Sequence, residues 1–238
     1  MTGWEPVEVV GLDADDTLWH SEPYFERVMR RYLDLVGRYV DPEVDLRAAL
    51  VAVDLRNVDR YGYGFKAFIL SLIEAAIEVT GGAIGTDEVA DLLHAGREML
   101  DHPVHLLDGV AEAVEELAAA GHRLVVVTKG DLVHQQHKLV ASGLLDRFER
   151  VEIVAEKDPP TYQRVVEALG VAPERFLMVG NSVKSDVLPV LEIGGRAVHV
   201  PYHLTWEGEI AEHDGSVPEL ASLRELPGWL AARRPGTS

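Results

Sequence analysis

The chain has 238 residues, of which 47% are hydrophobic, and its formal net charge at pH 7 is −18. This length and composition predict a globular protein with one full core and room for a small inserted domain. The negative charge argues against a surface for nucleic acid or anionic membranes, since both attract basic proteins. The absence of cysteine excludes disulfides and thiolate catalysis. With no signal-peptide pattern and no membrane-spanning apolar run, we expect a cytoplasmic protein.

The first predicted element is a strand at residues 7–12, an apolar run that ends at a cluster of acids. No comparable strand is predicted before residue 103. The intervening sequence has the spacing of four amphipathic helices, separated by glycine- and proline-containing breaks, at residues 23–39, 42–60, 65–80 and 87–101. We therefore predict an all-helical domain at residues 21–102, inserted into a core formed by residues 1–20 and 103–238.

Strands and helices alternate in the rest of the chain. We predict strands at residues 123–128, 150–155, 176–179 and 196–200, and helices at residues 110–120, 132–142, 160–169, 185–193 and 222–232. Apolar strands that alternate with helices are typical of a parallel sheet covered on both faces. The predicted fold class is α/β, a Rossmann-like, doubly wound parallel sheet with the helical insertion after its first strand.

Acidic residues crowd the end of the first strand. Asp13 and Asp15 lie two positions apart, so extended backbone points both carboxylates to the same side. Like charges held together are unfavourable unless a cation or a reaction uses them. Two convergent carboxylates suit one hard cation such as Mg²⁺, although aspartate-rich turns also occur for purely structural reasons.

Polar residues also follow the other strands, at the edge of a parallel sheet where ligands bind. Thr128 ends the second strand, Lys157 follows the third and Asp186 follows the fourth. Each has a structural explanation when taken alone: a β-branched strand end, a solvated loop cation, and an acid in the first turn of a helix. Their joint placement favours a functional site.

Together these residues resemble the four motifs of the haloacid dehalogenase (HAD) superfamily, in the family's order. The matching segments are Asp13-x-Asp15-x-Thr17-Leu18, Thr128, Lys157, and Gly180-Asn181 with Ser185-Asp186. The resemblance covers about residues 7–200, and the helical insertion sits where the family has its type 1 cap. It implies a Mg²⁺-dependent phosphatase that hydrolyses a small phosphomonoester. The aspartate at position 15 is typical of the family's phosphatases and mutases, whereas its dehalogenases lack it.

The resemblance also assigns roles to single residues. Asp13 is the nucleophile that forms an aspartyl-phosphate, and Asp15 is the general acid and base. Asp13 and Asp186 hold Mg²⁺ together with the backbone carbonyl of Asp15, while Asn181 lies in the metal's outer shell. Lys157 neutralises Asp13. The residues assigned to the phosphate are Thr128, Lys129, Gly130 and Lys157.

Three positions depart from the common family pattern. Asn181 stands where many members have a second acid, so we expect weaker or altered metal affinity. Lys129 stands where asparagine is frequent, which adds either a second cation near the phosphate or a side chain that points to solvent. Asp16 replaces a commoner glycine.

Six further residues are predicted to contact the substrate: Trp19, Arg56, Arg60, Tyr61, Tyr63 and Lys66. Five of them lie in a segment of the insertion that combines cations, aromatic rings and glycines, and Trp19 follows the first motif. The alternative is structural, with the segment as a helix corner whose aromatics pack in the core and Trp19 as hinge packing.

Two other functions stay open on the sequence alone. One is a phosphomutase of the same superfamily, which would return the phosphoryl group to a second hydroxyl. The other is a non-catalytic, phosphate-binding regulatory protein, motivated by Asn181. In every case the expected partner is a small phosphorylated molecule, not a nucleic acid or a membrane, and the oligomeric state is open.

Overall fold

The computed structural model describes residues 6–212 and 215–233, which divide into two compact units. The first, here called the sheet unit, contains the described parts of residues 1–20, 104–129 and 136–238. The second, the helical unit, contains residues Ser21–Pro103 and Gly130–Gln135. Among the described residues, no helix is long and apolar enough to cross a membrane.

Five parallel strands form the sheet in the order β3-β2-β1-β4-β5. Their bounds are Val9–Leu12 (β1), Arg123–Lys129 (β2), Arg150–Val154 (β3), Phe176–Gly180 (β4) and Arg196–His199 (β5). Strand β1 lies at the centre, because Leu12 is in register with Val126 of β2 and with Val179 of β4. The predicted parallel α/β sheet with a helical insertion after its first strand is confirmed.

Alternating side chains of the strands fill two hydrophobic cores, one on each face of the sheet. The helices that follow β1 in this unit are α5 (Val110–Ala119), α6 (Leu132–Ala141, which begins in the helical unit), α7 (Pro159–Leu169), α8 (Leu188–Glu192) and α9 (Leu226–Ala231). On one face Val10 and Leu124 pack with α5 and α9. On the other face Val9 and Val125 pack with α7. Burial of each such aliphatic side chain contributes about 1.5–3 kcal/mol.

The helical unit contains four longer helices around their own apolar core. Their bounds are Glu22–Val36 (α1), Leu46–Tyr61 (α2), Phe65–Val79 (α3) and Thr86–Leu100 (α4). Members of this core include Tyr32, Leu50, Phe68, Leu72 and Leu92. All four helices were predicted, with ends that differ by a few residues. Helix α2 begins at Leu46 instead of residue 42 because the Asp45 carboxylate accepts a hydrogen bond from the Ala48 amide, at 2.9 Å, and caps it there.

Two predicted helices of the sheet unit have a different form. The segment after β4 begins with a π-helical turn, Val183–Val187, and continues as the short helix α8. Pro189 has no amide hydrogen for a continuous α-helical ladder here. The helix predicted at residues 222–232 is a 3₁₀ turn, Leu223–Glu225, followed by α9. Wide helical turns of the first kind often occur at functional sites, and this one carries Asp186.

Candidate active site

The carboxyl ends of four neighbouring strands place the predicted motif residues at one edge of the sheet. Asp13 directly follows β1, and its amide donates to the carbonyl of Val179 in β4 at 2.9 Å. Thr128 lies near the end of β2, is 1% exposed, and donates its hydroxyl to the Lys129 carbonyl at 3.3 Å. Lys157 comes three residues after β3, where the Asp158 side chain caps α7.

A buried group of three charged side chains forms the centre of this edge. The Lys157 ammonium lies 2.5 Å from Asp13 Oδ1 and 2.6 Å from Asp186 Oδ1. All three are buried, with 4%, 6% and 1% of Lys157, Asp13 and Asp186 exposed. Two carboxylates thus share one cation, and when both are ionised the group keeps one uncompensated negative charge away from water.

The charges of this group shift one another's protonation. Burial raises the pKa of Asp13 to about 7, with Asp186 adding repulsion and Lys157 opposing the rise. Burial alone would lower the pKa of Lys157, but the attraction of Asp13 and Asp186 outweighs it and holds that pKa well above its ordinary value. Lys157 is therefore a permanent cation. A further positive charge beside Asp13 would lower the pKa of its carboxyl and so favour loss of the proton.

A second set of oxygen atoms faces Asn181. In the orientation that satisfies its neighbours, the Asn181 amide nitrogen donates to Asp13 Oδ2, the Asp15 carbonyl and Thr17 Oγ1, each at 3.2 Å. Asp186 is placed differently, because its Oδ1 accepts from Lys157 and its Oδ2 accepts from the Ser182 amide at 3.0 Å. The amide of Asn181 is thus the group that touches both the Asp13 carboxylate and the Asp15 carbonyl.

Local backbone geometry requires particular residues beside these groups. A Cβ atom on Gly180 would lie 2.2 Å from Asp186 Oδ2, so only glycine lets the Asp186 carboxylate approach β4 this closely. Asp16 has a φ of 62°, in the left-handed region that glycine adopts most easily. This accounts for the glycine that is commoner at this position, which aspartate tolerates better than most residues.

Asp15 is held by two donors that reach the same oxygen. Trp19 Nε1 donates to Asp15 Oδ1 at 2.6 Å, and Lys138 Nζ of helix α6 donates to that oxygen at 2.5 Å. Trp19 is 1% exposed and packs in the core of the sheet unit, which agrees with the structural alternative for this residue. Its indole faces Asp15, and a substrate contact of Trp19 stays a prediction.

Lys129 is engaged by acids of its own unit. Its ammonium forms ion pairs with Glu209 and with Glu156, the latter at 3.3 Å, and donates to the Ser185 hydroxyl at 2.9 Å. Glu209 also accepts from the hydroxyls of Ser182 and Ser185. The Lys129 side chain is only 11% exposed, so it does not point to solvent as one of the two alternatives expected. The other alternative, a second cation near the phosphate, stays a prediction.

The remaining predicted residues belong to the helical unit. Gly130 follows β2 with a φ of 128°. Arg56 bonds to Glu74 at 2.9 Å and to Glu78 at 2.7 Å, and Lys66 pairs with Asp131 at 2.9 Å. Arg60 and Tyr61 are exposed, and Tyr63 is half-buried. A substrate role for these residues stays a prediction.

Sequence reasoning missed three contributors to this region. Lys138 occupies a buried position of α6, one helical turn after Gln135, and polar residues on the buried face of a helix were the available signal. Glu209 lies in a 3₁₀ turn of an irregular segment that carried no pattern. Tyr162 donates its hydroxyl to the Ser185 carbonyl at 2.9 Å and ties α7 to the π-helical turn.

Comparison with known proteins agrees with this geometry. The model of the haloacid dehalogenase-like hydrolases matches residues 7–194. Glyceraldehyde 3-phosphate phosphatase of Pyrococcus furiosus is 29% identical over 232 residues, which cover 94% of this chain and 92% of that protein. A haloacid dehalogenase-like family hydrolase from Xanthomonas campestris has a TM-score of 0.84 at 38% identity, covering 98% of this chain and 96% of that one.

The HAD-hydrolase YfnB of Bacillus subtilis, solved bound to magnesium, shares the fold, with a TM-score of 0.68 and 17% identity. The match covers 95% of this chain and 100% of that one. The resemblance drawn from the four motifs is thereby confirmed. The family model matches most of the length of this chain, so the chain belongs to the haloacid dehalogenase-like hydrolases.

Proposed function

We propose that this HAD-family phosphatase hydrolyses a small phosphomonoester in two steps, with the phosphoryl group carried transiently by Asp13. The observation that carries the proposal is the buried Lys157 ammonium between Asp13 and Asp186, at 2.5 and 2.6 Å. A lysine fixed in this way supplies positive charge beside a carboxylate without becoming mobile. That combination suits a nucleophile that must approach a phosphate dianion.

The chemistry of the site fits Mg²⁺. The buried group carries one excess negative charge when both of its carboxylates are ionised, and the atoms around Asn181 are hard oxygens of a carboxylate, a backbone carbonyl and a hydroxyl. Within residues 6–212 and 215–233, no three His, Cys, Asp or Glu side chains cluster as a metal site, so carbonyl and amide oxygens have to complete the ligand set.

The ligand roles we propose differ from those expected from the motifs. Asp13, the Asp15 carbonyl and the Asn181 amide oxygen, reached by rotating the amide, would hold the metal. Asp186 would instead orient Lys157, since its two oxygens accept from Lys157 and from the Ser182 amide. When bound, Mg²⁺ offsets the repulsion between the Asp13 carboxylate and the phosphate.

In the first step the Asp13 carboxylate attacks phosphorus, and the bond between phosphorus and the leaving oxygen breaks. Asp15 gives its proton to that oxygen, so that an alcohol departs and not an alkoxide. Lys157 holds the attacking carboxylate in place, and the Thr128 hydroxyl lies at the same edge of the sheet to bind a phosphate oxygen. Uncatalysed phosphomonoester hydrolysis is so slow that these effects must supply a barrier reduction of up to ~10²¹-fold.

In the second step water attacks the phosphorus of the aspartyl-phosphate. Asp15, now ionised, accepts a proton from that water, and the bond between phosphorus and Asp13 breaks. Inorganic phosphate leaves and both aspartates return to their starting states. A phosphomutase would use the same first step but would transfer the group to a second hydroxyl of the substrate in place of water.

The relatives support a small phosphorylated molecule as the substrate class. One relative is named for glyceraldehyde 3-phosphate, a small phosphorylated metabolite. We propose substrates of that size, and the test starts from glyceraldehyde 3-phosphate, phosphoserine, phosphoglycolate, hexose phosphates and nucleoside monophosphates.

The test measures phosphate release from this panel with Mg²⁺ and with EDTA, for the wild type and for Asp13→Asn. We expect metal-dependent release that Asp13→Asn abolishes, and an acid-quenched wild type that carries one phosphoryl group on the peptide containing Asp13. Asp146→Asn, at an exposed position of the same unit, is the matched control and should keep full activity. Isomerised substrate without free phosphate would assign a mutase, and metal and phosphate binding without turnover would assign a non-catalytic protein.

A further inference from the structure

Lys138 is a buried lysine that none of the four motifs contains. It lies on helix α6, ten residues after Thr128, and its side chain is 10% exposed. An ammonium group is seldom buried unless it is paired, because removing it from water is costly. Its partner is Asp15, whose Oδ1 lies 2.5 Å from Lys138 Nζ.

The same oxygen is held from a second direction. Trp19 Nε1 donates to Asp15 Oδ1 at 2.6 Å, and the Lys138 ammonium lies 5.9 Å from the centre of the Trp19 ring. The indole cannot move freely, since Trp19 is 1% exposed and its carbonyl accepts from the Asp16 amide at 2.7 Å. Two fixed donors on one carboxylate oxygen leave the side chain of Asp15 little rotational freedom.

We propose that Lys138, together with Trp19, is a positioning residue that fixes the carboxyl group of Asp15 for proton transfer. The inference rests on the proposed function, in which Asp15 protonates the leaving oxygen. Lys138 and Trp19 both hold Oδ1 of Asp15. They thereby fix the side-chain torsions of Asp15 and, with them, the position of Oδ2. Lys138 does not touch the substrate and acts only through Asp15.

Proton transfer is sensitive to such positioning. A well-placed general acid contributes about 10²–10⁴-fold to the rate, and a misplacement of about 1 Å can cost about 10²-fold. The loss depends on the leaving group. An alkyl phosphate needs a proton on its departing oxygen, whereas p-nitrophenyl phosphate releases a stable anion and depends little on the acid.

The test compares kcat/KM for an alkyl phosphate and for p-nitrophenyl phosphate in Lys138→Met. The constant kcat/KM reports only the steps up to formation of the aspartyl-phosphate. It therefore measures Asp15 as the acid of the first step, separately from its later role as the base. Methionine keeps the length of the side chain and removes the cation. We expect kcat/KM to fall about 10- to 100-fold for the alkyl phosphate and less than about threefold for the aryl phosphate.

Three further variants separate positioning from a structural effect. Lys138→Arg keeps a cation and should restore most of the alkyl phosphate activity. Trp19→Phe removes the Nε1 donor but keeps an aromatic ring at this buried position, and should show the same selective loss as Lys138→Met, but smaller. His137→Met, at an exposed position of the same helix, should leave both activities unchanged.

A double-mutant cycle completes the test. In an Asp15→Asn background, Lys138→Met should cause no further loss on the alkyl phosphate, because the acid it positions is gone. Equal losses for both substrates, or additive losses in the cycle, would overturn the inference while the phosphatase assignment stands. A wild type that hydrolyses neither substrate class would overturn the proposed function and this inference with it.

Discussion

Lys157 and Asp186 form a buried ion pair, with 2.6 Å between the lysine Nζ and Oδ1 of the aspartate. The second oxygen of Asp186 accepts from the Ser182 amide, so the carboxylate is fixed at both ends. A lysine oriented in this way can present its charge to Asp13 without moving. The pair therefore links Asp186 of the fourth motif to Asp13, the proposed nucleophile, through Lys157 of the third motif.

Removing the shared cation should destabilise the fold in a pH-dependent way. Lys157→Met leaves the buried carboxyl groups of Asp13 and Asp186 without their shared cation, which we expect to lower the free energy of unfolding by about 3–5 kcal/mol at neutral pH without metal. The loss should be smaller near pH 5, because Asp13 is then protonated and less charge is left unpaired. Urea unfolding at both pH values in EDTA measures the difference. Lys184→Met is the control, since it removes an exposed ammonium that donates to the Gly208 carbonyl at 2.7 Å. An equal loss for Lys157→Met at both pH values would contradict the explanation.

Replacing Asn181 by aspartate should strengthen the metal site. The Asn181 side chain already reaches Asp13 Oδ2 and the Asp15 carbonyl at 3.2 Å, so a carboxylate there would add a charged ligand. We expect Asn181→Asp to raise Mg²⁺ affinity by about 10-fold or more and to destabilise the metal-free protein through repulsion from Asp13.

Isothermal titration of Mg²⁺ provides the measurement for this variant. Gln136→Glu adds the same charge at an exposed position and controls for general electrostatic attraction. Unchanged affinity in Asn181→Asp would return Asn181 to an outer role and Asp186 to the metal.

Metal binding should compete with a proton on Asp13. Burial raises the pKa of this carboxyl from 3.8 to about 7. The protonated Asp13 carboxyl therefore contributes its full stabilisation below pH 3.8, the pKa of the unfolded chain. This stabilisation is lost as the pH rises through the folded-state pKa of about 7. Mg²⁺ favours the ionised form, so it should raise the melting temperature more at about pH 8 than at about pH 6, and its affinity should fall about 10-fold per pH unit below the pKa. Proton release on titration checks this, and Asp13→Asn should abolish it.

The sequence predicted the parallel sheet and the helical insertion because their signals are local. Continuous apolar strands and helical periodicity do not depend on distant residues. The differences lie at element ends where single caps decide, such as Asp45 at α2, and in the π-helical and 3₁₀ turns that replace parts of two predicted helices. The motif residues at the strand ends were predictable for a related reason. In a parallel sheet the carboxyl ends of all strands lie at one edge, so Asp13 and Thr128, which come at two such ends, belong to the same edge.

The contacts made by side chains from irregular or distant segments could not be predicted in this way. Glu209 comes from a 3₁₀ turn without periodicity, and its pairing with Lys129 depends on how the chain returns after β5. Asn181 and Asp186 were assigned from the motif alone. Which of them faces Asp13 depends on the π-helical turn that follows Asn181 and contains Asp186, a local geometry that no sequence pattern indicated.

The Glu209 contacts should stabilise the protein against acid. Burial opposes ionisation of this carboxyl, but Lys129 and the hydroxyls of Ser182 and Ser185 outweigh it and hold its pKa below the ordinary 4.5. Such a group contributes stability above about pH 4.5 and loses it as the pH falls through the lowered value. Glu209→Gln should therefore lower the free energy of unfolding by about 1.5–3 kcal/mol at neutral pH, the usual contribution of hydrogen bonds to a charged group.

The decisive measurement for Glu209 is the difference between wild type and Glu209→Gln as a function of pH. Because only the wild type has an ionisable carboxyl at position 209, the two unfolding curves should approach each other as the pH falls from about 4.5 through the lowered pKa of Glu209. Glu174→Gln, at an exposed position of another 3₁₀ turn of the same unit, should leave the wild-type curve unchanged. A difference that stays constant with pH would show that the glutamate stabilises the turn through packing, and that its charge and its pairing with Lys129 contribute nothing.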